Sequence, residues 1–225
     1  MKKSLLTLVR LFVGLFLYAV GIVLTINANL GLSPWDVFHQ GISKLSGITM
    51  GQASIMAGLV IVILDWVLGE KVGLGTIFNM LFIGIFMDLL MLNHLVPIFN
   101  NIIARVIMMF LGMFVIGIAS YFYISAGLGS GPRDGLMVSL TKKTQKSVRF
   151  IRNCIEFTVL VVGYFLGGTV GFGTLIMVIG GGYFVQFAFK LFKFDVRKVQ
   201  HKFIDDYVKI IKERLVNKKE DSSIN

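Results

Sequence analysis

The sequence predicts an all-α polytopic membrane protein: about six transmembrane helices in two inverted three-helix repeats, plus a C-terminal amphipathic helix. Three observations predict it. Of the 225 residues, 56% are hydrophobic and only 15% charged, against roughly 25% charged in soluble domains. Apolar runs recur, each about 20 residues long and so able to cross a ~30 Å hydrocarbon core as a helix. The chain also repeats itself at an offset of 98 residues, the distance from Pro34 to Pro132.

The first span is expected at about 5–26. Its lysines followed by an apolar run are shared with signal peptides, but the run is long enough to span, and it has a counterpart in the second repeat. It is read as a retained span. The segment GLSPWDVF (31–38) comes next. Ser33 suits an N-cap, Pro34 the first helical position, and Asp36 completes a capping-box-like pattern. A short helix therefore starts there after a glycine turn. It lies either in the interface or as a re-entrant element whose polar backbone borders a cavity. Spans two and three are expected at about 50–69 and 72–92, joined through LGEKVGLGT (68–76).

The same order then recurs. A fourth span is expected at about 102–125, then GSGPRDGL (129–136), then spans at about 149–167 and 171–191, joined through LGGTVGFGT (166–174). Gly31, Pro34, Gly73, Gly75 and Thr76 coincide with Gly129, Pro132, Gly171, Gly173 and Thr174. Apolar matches alone would be uninformative; Gly, Pro, Asp and Thr coinciding at one offset indicate duplication. Turn chemistry is the favoured reading of the Val-Gly-x-Gly-Thr phrases. The glycines Gly14, Gly163, Gly167 and Gly180 to Gly182 are candidates for close helix contacts.

Each repeat holds three spans, an odd number, so the second enters the membrane from the opposite side. The charges agree. Of 22 Lys and Arg, only Lys44 and Arg105 fall near the face opposite both termini, as the positive-inside rule requires. The formal charge of +10 is thus an orientation signal and an attraction for anionic inner-leaflet headgroups, and no nucleic-acid partner is expected. The boundaries follow: 1–98 and 99–195 as the two repeats, and 196–225 as a cytoplasmic basic tail. In that tail Val196, Val199, Phe203, Tyr207, Ile210 and Ile211 recur near helical spacing.

Polar groups inside lipid are costly and so mark candidate paths. The path candidates are Asp36, Asn79, Asp88, Arg133, Asp134, Glu156 and Gln186. Helix capping explains Asp36 and Asp134 equally well, and an ion pair with Arg152 explains Glu156. Helix-to-helix hydrogen bonds do the same for Asn79, Asp88 and Gln186, and the positive-inside rule does so for Arg133. No histidine spacing suits a metal, no catalytic grouping is present, and Cys154 stands alone in a span. No enzyme activity, metal or cofactor is expected.

The Gly-x-x-Pro-Trp-Asp phrase at Gly31, the Gly-x-Gly-Pro-Arg-Asp-Gly phrase at Gly129 and the Val-Gly-x-Gly-Thr phrases resemble the bacterial YczE/YyaS/YitT integral membrane proteins. The resemblance covers roughly 5–195 and implies a multi-pass protein of the bacterial cytoplasmic membrane. It assigns no substrate and no catalytic residue. The expected function is movement of a small solute or ion by alternating access between the repeats. The alternative is a regulatory or assembly protein that binds a cytosolic partner through its basic inner loop and tail. The protomer is small for a transporter and admits a homodimer.

Overall fold

Every expected span forms a helix in the computed structural model, which describes residues 2–199 and 201–206. The long helices are α1 (Lys2–Asn27), α3 (Met50–Val67), α4 (Leu74–Leu92), α5 (Ile102–Ser125), α7 (Val148–Phe165) and α8 (Phe172–Leu191). Two short helices intervene, α2 (Pro34–Ser46) and α6 (Pro132–Thr144). Among the described residues there is no strand. Five helices are long and apolar enough to cross a membrane: α1, α3, α4, α5 and α8. The sixth expected span, α7, matches α3 in length but carries Arg149, Arg152 and Glu156 in its first half, and this lowers its apolarity.

The two longest helices, α1 and α5, form the centre. Leu11, Leu15, Ala19 and Val23, spaced one turn apart along a single stripe of α1, are fully buried. The helices run antiparallel. Near one end Gly14 meets the backbone of Tyr123. At mid-length the Tyr18 hydroxyl and Ser120 Oγ share a 2.8 Å hydrogen bond, and Gly21 fits against Gly112 and Ile116. At the other end Arg105 donates to the carbonyls of Ala28 and Asn29. A guanidinium closing the last turn of α1 satisfies carbonyls that have no helical partner.

The glycine turns interlock across the two halves of the chain. The Gly173 N–H donates to Leu30 O at 2.7 Å, and the Gly75 N–H donates to Leu128 O at 2.7 Å. Leu30 and Leu128 are 98 residues apart, as are Gly75 and Gly173, so each turn closes on the other half of the chain. Gly31 and Gly129 carry φ of +113° and +120°, which a side chain strongly disfavours. A Cβ at either would also press on Oγ1 of Thr174 or Thr76. The threonines hold the turns in place: Thr76 Oγ1 accepts from Gly73 N and donates to Ser130 O, and Thr174 Oγ1 accepts from Gly171 N.

The short helices are exchanged in the same way. α2 lies on the end of α7, where Gly41 and Gly163 let the backbones approach and Lys44 Nζ donates to Gly167 O at 2.8 Å. α6 lies on the end of α3, where Ser139 donates to Asp65 and Lys142 pairs with Glu70. Gly41 and Ser139 are equivalent positions, as are Lys44 and Lys142, and Gly163 and Asp65.

The two halves differ most where their second and third long helices meet. α3 and α4 pack closely through Gly51 and Gly84 and through Gly58 against Met80. Their counterparts α7 and α8 barely touch. Gly181 and Gly182 accordingly face open space and make no helix contact of the kind expected for them.

The tail departs from a free surface helix. Val196–Lys198 form a 3-10 turn, and the next segment docks on the turns at 72 and at 127–129. There Lys202 N donates to Gly127 O at 2.8 Å, Ile204 N to Val72 O at 3.1 Å, and Gly129 N to His201 Nδ1 at 3.3 Å. The expected amphipathic stripe continues through Tyr207, Ile210 and Ile211, which lie outside the described residues.

Candidate functional site: two related cavities

The gap between α7 and α8 is a cavity of about 250 Å³. Tyr18 and Ile22 of α1 form its back, and Met113 and Ile116 of α5 one wall. Arg152, Ile155 and Glu156 of α7 face Met177, Val178 and Gly181 of α8. The N-termini of both short helices enter it, with Ser33 to Asp36 from α2 and Arg133 and Asp134 from α6.

A smaller cavity of about 90 Å³ lies between α3 and α4. Its lining is the counterpart of the first. Gly131, Pro132 and Arg133 stand where Ser33, Pro34 and Trp35 stand in the larger one. Ser54 and Gly58 replace Arg152 and Glu156, and Asn79, Met80 and Ile83 replace Met177, Val178 and Gly181. Every one of these pairs is 98 residues apart. Tyr18, Ile22 and Arg133 border both cavities.

The side chains at the junction are unequally partnered. Ser33 is the N-cap of α2, and its Oγ donates to Asp36 Oδ2 at 2.5 Å. The other Asp36 oxygen lies 3.7 Å from His39 Nδ1; both atoms are buried without a hydrogen-bond partner. Glu156 Oε1 accepts from Arg152 Nε at 2.9 Å. The Arg133 guanidinium stacks over the Trp35 ring, 4.6 Å from its centroid. Such stacking of a cation on an aromatic face is attractive. It joins equivalent residues, so the two short helices meet tip to tip.

Four of the path candidates, Asp36, Arg133, Asp134 and Glu156, therefore share the larger cavity, and Asn79 lines the smaller. The other two do not join them. Asp88 reaches across to α3, accepting from Thr49 Oγ1 at 2.5 Å and from Gly51 N at 2.9 Å. Gln186 is exposed on α8 and lines neither cavity. Sequence reasoning did not single out Tyr18, within an apolar run, or His39. The three-residue spacing of His39 from Asp36 was the available signal. Among the described residues no group of His, Cys, Asp and Glu is placed to hold a metal ion.

The fold and cavities define a multi-pass helical membrane protein with a chamber that gathers charged side chains inside an otherwise apolar bundle. The chain belongs to the DUF6198 family, described as a family of unknown function, whose model matches residues 5–190. It is 38% identical over 179 residues to the uncharacterized membrane protein YczE of Bacillus subtilis strain 168, covering 79% of this chain and 82% of the relative. An uncharacterized protein of Haemophilus influenzae is 30% identical over 181 residues (80% of this chain, 82% of the relative). Protein YyaS of Bacillus subtilis is 29% identical over 174 residues (76% and 86%). The resemblance seen in the motifs is thus borne out for the YczE and YyaS members. No solved structure matches the chain.

Proposed function

We propose that the chain is a carrier for a small solute, working by alternating access in the bacterial cytoplasmic membrane. In this reading it has six spans, in two inverted three-span units at 1–98 and 99–195, with both termini and the 196–225 tail cytoplasmic. One observation carries it: two cavities with largely corresponding linings, one of about 250 Å³ and the other narrowed to about 90 Å³. Inverted repeats in two different conformations are how such carriers expose one site to each side in turn. The antiparallel pairing of α1 and α5, and the reciprocal Leu30–Gly173 and Leu128–Gly75 bonds, support the inverted relation.

With the basic face inside, the open cavity faces inward, because Arg152 and Glu156 lie in the half of α7 nearest that face. Exchange would close α7 on α8 as α3 is closed on α4, and open α3 from α4. Arg133, common to both chambers, stays at the solute throughout. The tail contacts favour this reading over a partner-binding regulator, since residues 201–204 are engaged with the chain's own turns.

The test takes its geometry from the closed repeat. Ile55 touches Gly84, and the counterparts are Asn153 and Gly182. Asn153→Cys with Gly182→Cys, in a Cys154→Ser background, should form a disulfide in membranes as the protein samples the opposite state. Absence of that crosslink under oxidation would count against the exchange.

A further inference from the structure

The larger cavity holds two arginines and three carboxylates, and the protein pairs most of them internally. Arg152 bonds Glu156. Asp36 is held by Ser33 and turned toward His39. Two charges remain. The Arg133 guanidinium rests on Trp35 and has no hydrogen bond or ion pair to any described residue. Asp134, the next residue, is exposed to the cavity, and its carboxylate accepts no hydrogen bond from a described residue. Arg133, Arg152 and His201 surround Asp134 electrostatically, and Asp36, Tyr18, Asp134 and Glu156 surround Arg133, yet no direct bond satisfies either.

A guanidinium presents five donors in a planar fork suited to a carboxylate. A free carboxylate accepts from an ammonium. Both face one chamber, next to an apolar wall of Met113, Met137, Met177 and Val185. Ligand pockets commonly combine a few convergent polar groups with apolar lining in this way. We propose that the cavity binds a small zwitterion of the α-amino acid class with an apolar side chain. Arg133 takes the carboxylate, Asp134 takes the ammonium, and the methionine-rich wall takes the side chain. A simple anion would leave Asp134 unpaired beside it, and a simple cation would leave Arg133 unpaired. Either mismatch costs binding, because polar groups out of bulk water need partners.

The proposal rests on the carrier reading for the site's place in a cycle, but its test needs no transport. The purified protein in detergent is titrated calorimetrically with L-leucine, with 4-methylpentanoate (the same molecule without the amine) and with 3-methylbutylamine (the same molecule without the carboxylate). L-leucine should bind about tenfold or more tightly than either half-molecule. Arg133→Gln should bring leucine down to the level of the amine, and Asp134→Asn down to the level of the acid. Gln186→Ala, on an exposed face of α8, should bind as wild type. The wild-type comparison stands even if a cavity variant fails to fold. Equal binding of leucine and either half-molecule, or no leucine binding, overturns the proposal. The Asn153–Gly182 crosslink reports separately on alternating access, so a zwitterion that binds without exchange refutes transport alone.

Discussion

Asp88 offers the sharpest separation of a structural role from a transport role. Its carboxylate reaches from α4 to the start of α3, accepting the Thr49 hydroxyl at 2.5 Å and the Gly51 N–H at 2.9 Å. Thr49 is itself the N-cap of α3, accepting from Gln52 N while Gln52 accepts from Thr49 N. Asp88→Ala removes two bonds to a charged group and strips the helix start of its cross-helix partner. Hydrogen bonds to charged groups contribute roughly 1.5–3 kcal/mol each, and contributions within one network are not additive. A loss of about 2–4 kcal/mol follows, or roughly 4–16 °C in melting temperature for a chain of this size. Asp88→Asn keeps one carbonyl acceptor and should lose less than half as much. Thermal unfolding in detergent, followed by the fluorescence of Trp35 and Trp66, reads both variants. Leucine titration of the same samples should be unchanged below their melting points. An Asp88→Ala protein as stable as wild type but unable to bind would return Asp88 to the solute path and refute the capping argument.

Gly163→Ala should destabilise by about 1–3 kcal/mol, because its Cβ would lie 2.5 Å from the Phe38 backbone; the same melting assay checks it. Asp65→Ala leaves the Ser139 hydroxyl its bond to Gly135 O, so it should cost less than Asp88→Ala while loosening α6 from α3. Raised proteolysis of the 142–147 segment would report that loosening. Burial holds His201 below its ordinary pKa of 6.5, against the opposing pull of Asp134. The docked tail therefore favours neutral His201. The contribution of His201 to docking is full above pH 6.5 and is lost as pH falls through the lowered value. Hydrogen-exchange protection of the Lys202 and Ile204 amides should fall with acidification and become pH-independent in His201→Ala.

The matched turns were legible because their markers are chemically irreplaceable: glycines at positive φ, prolines at first helical positions, and threonines tying turns. The spans were legible because lipid requires long apolar helices. What the sequence did not reveal depends on which surfaces meet. Nothing local says that the Gly75 turn closes on Leu128 rather than within its own repeat, or that Trp35 and Arg133 stack on one another. Their 98-residue spacing was visible, but equivalence does not imply contact unless the axis passes between them. Asp88 and Gln186 occupy matched positions, which suggested a shared path. The tight α3–α4 pair and the parted α7–α8 pair place them in unlike surroundings. Gly181 and Gly182 read as packing residues because a glycine facing a cavity looks the same in sequence as one facing a helix.

The inverted relation proposed for the two halves underlies everything proposed about function, and side-specific labelling tests it directly. Leu45 and Lys143 are equivalent, exposed residues near the ends of α2 and α6. With Cys154→Ser as background, Leu45→Cys should react with a membrane-impermeant maleimide on intact cells stripped of their outer layers. Lys143→Cys should react only after the membrane is opened. Reaction of both from one side would place the repeats parallel and remove the basis for alternating access.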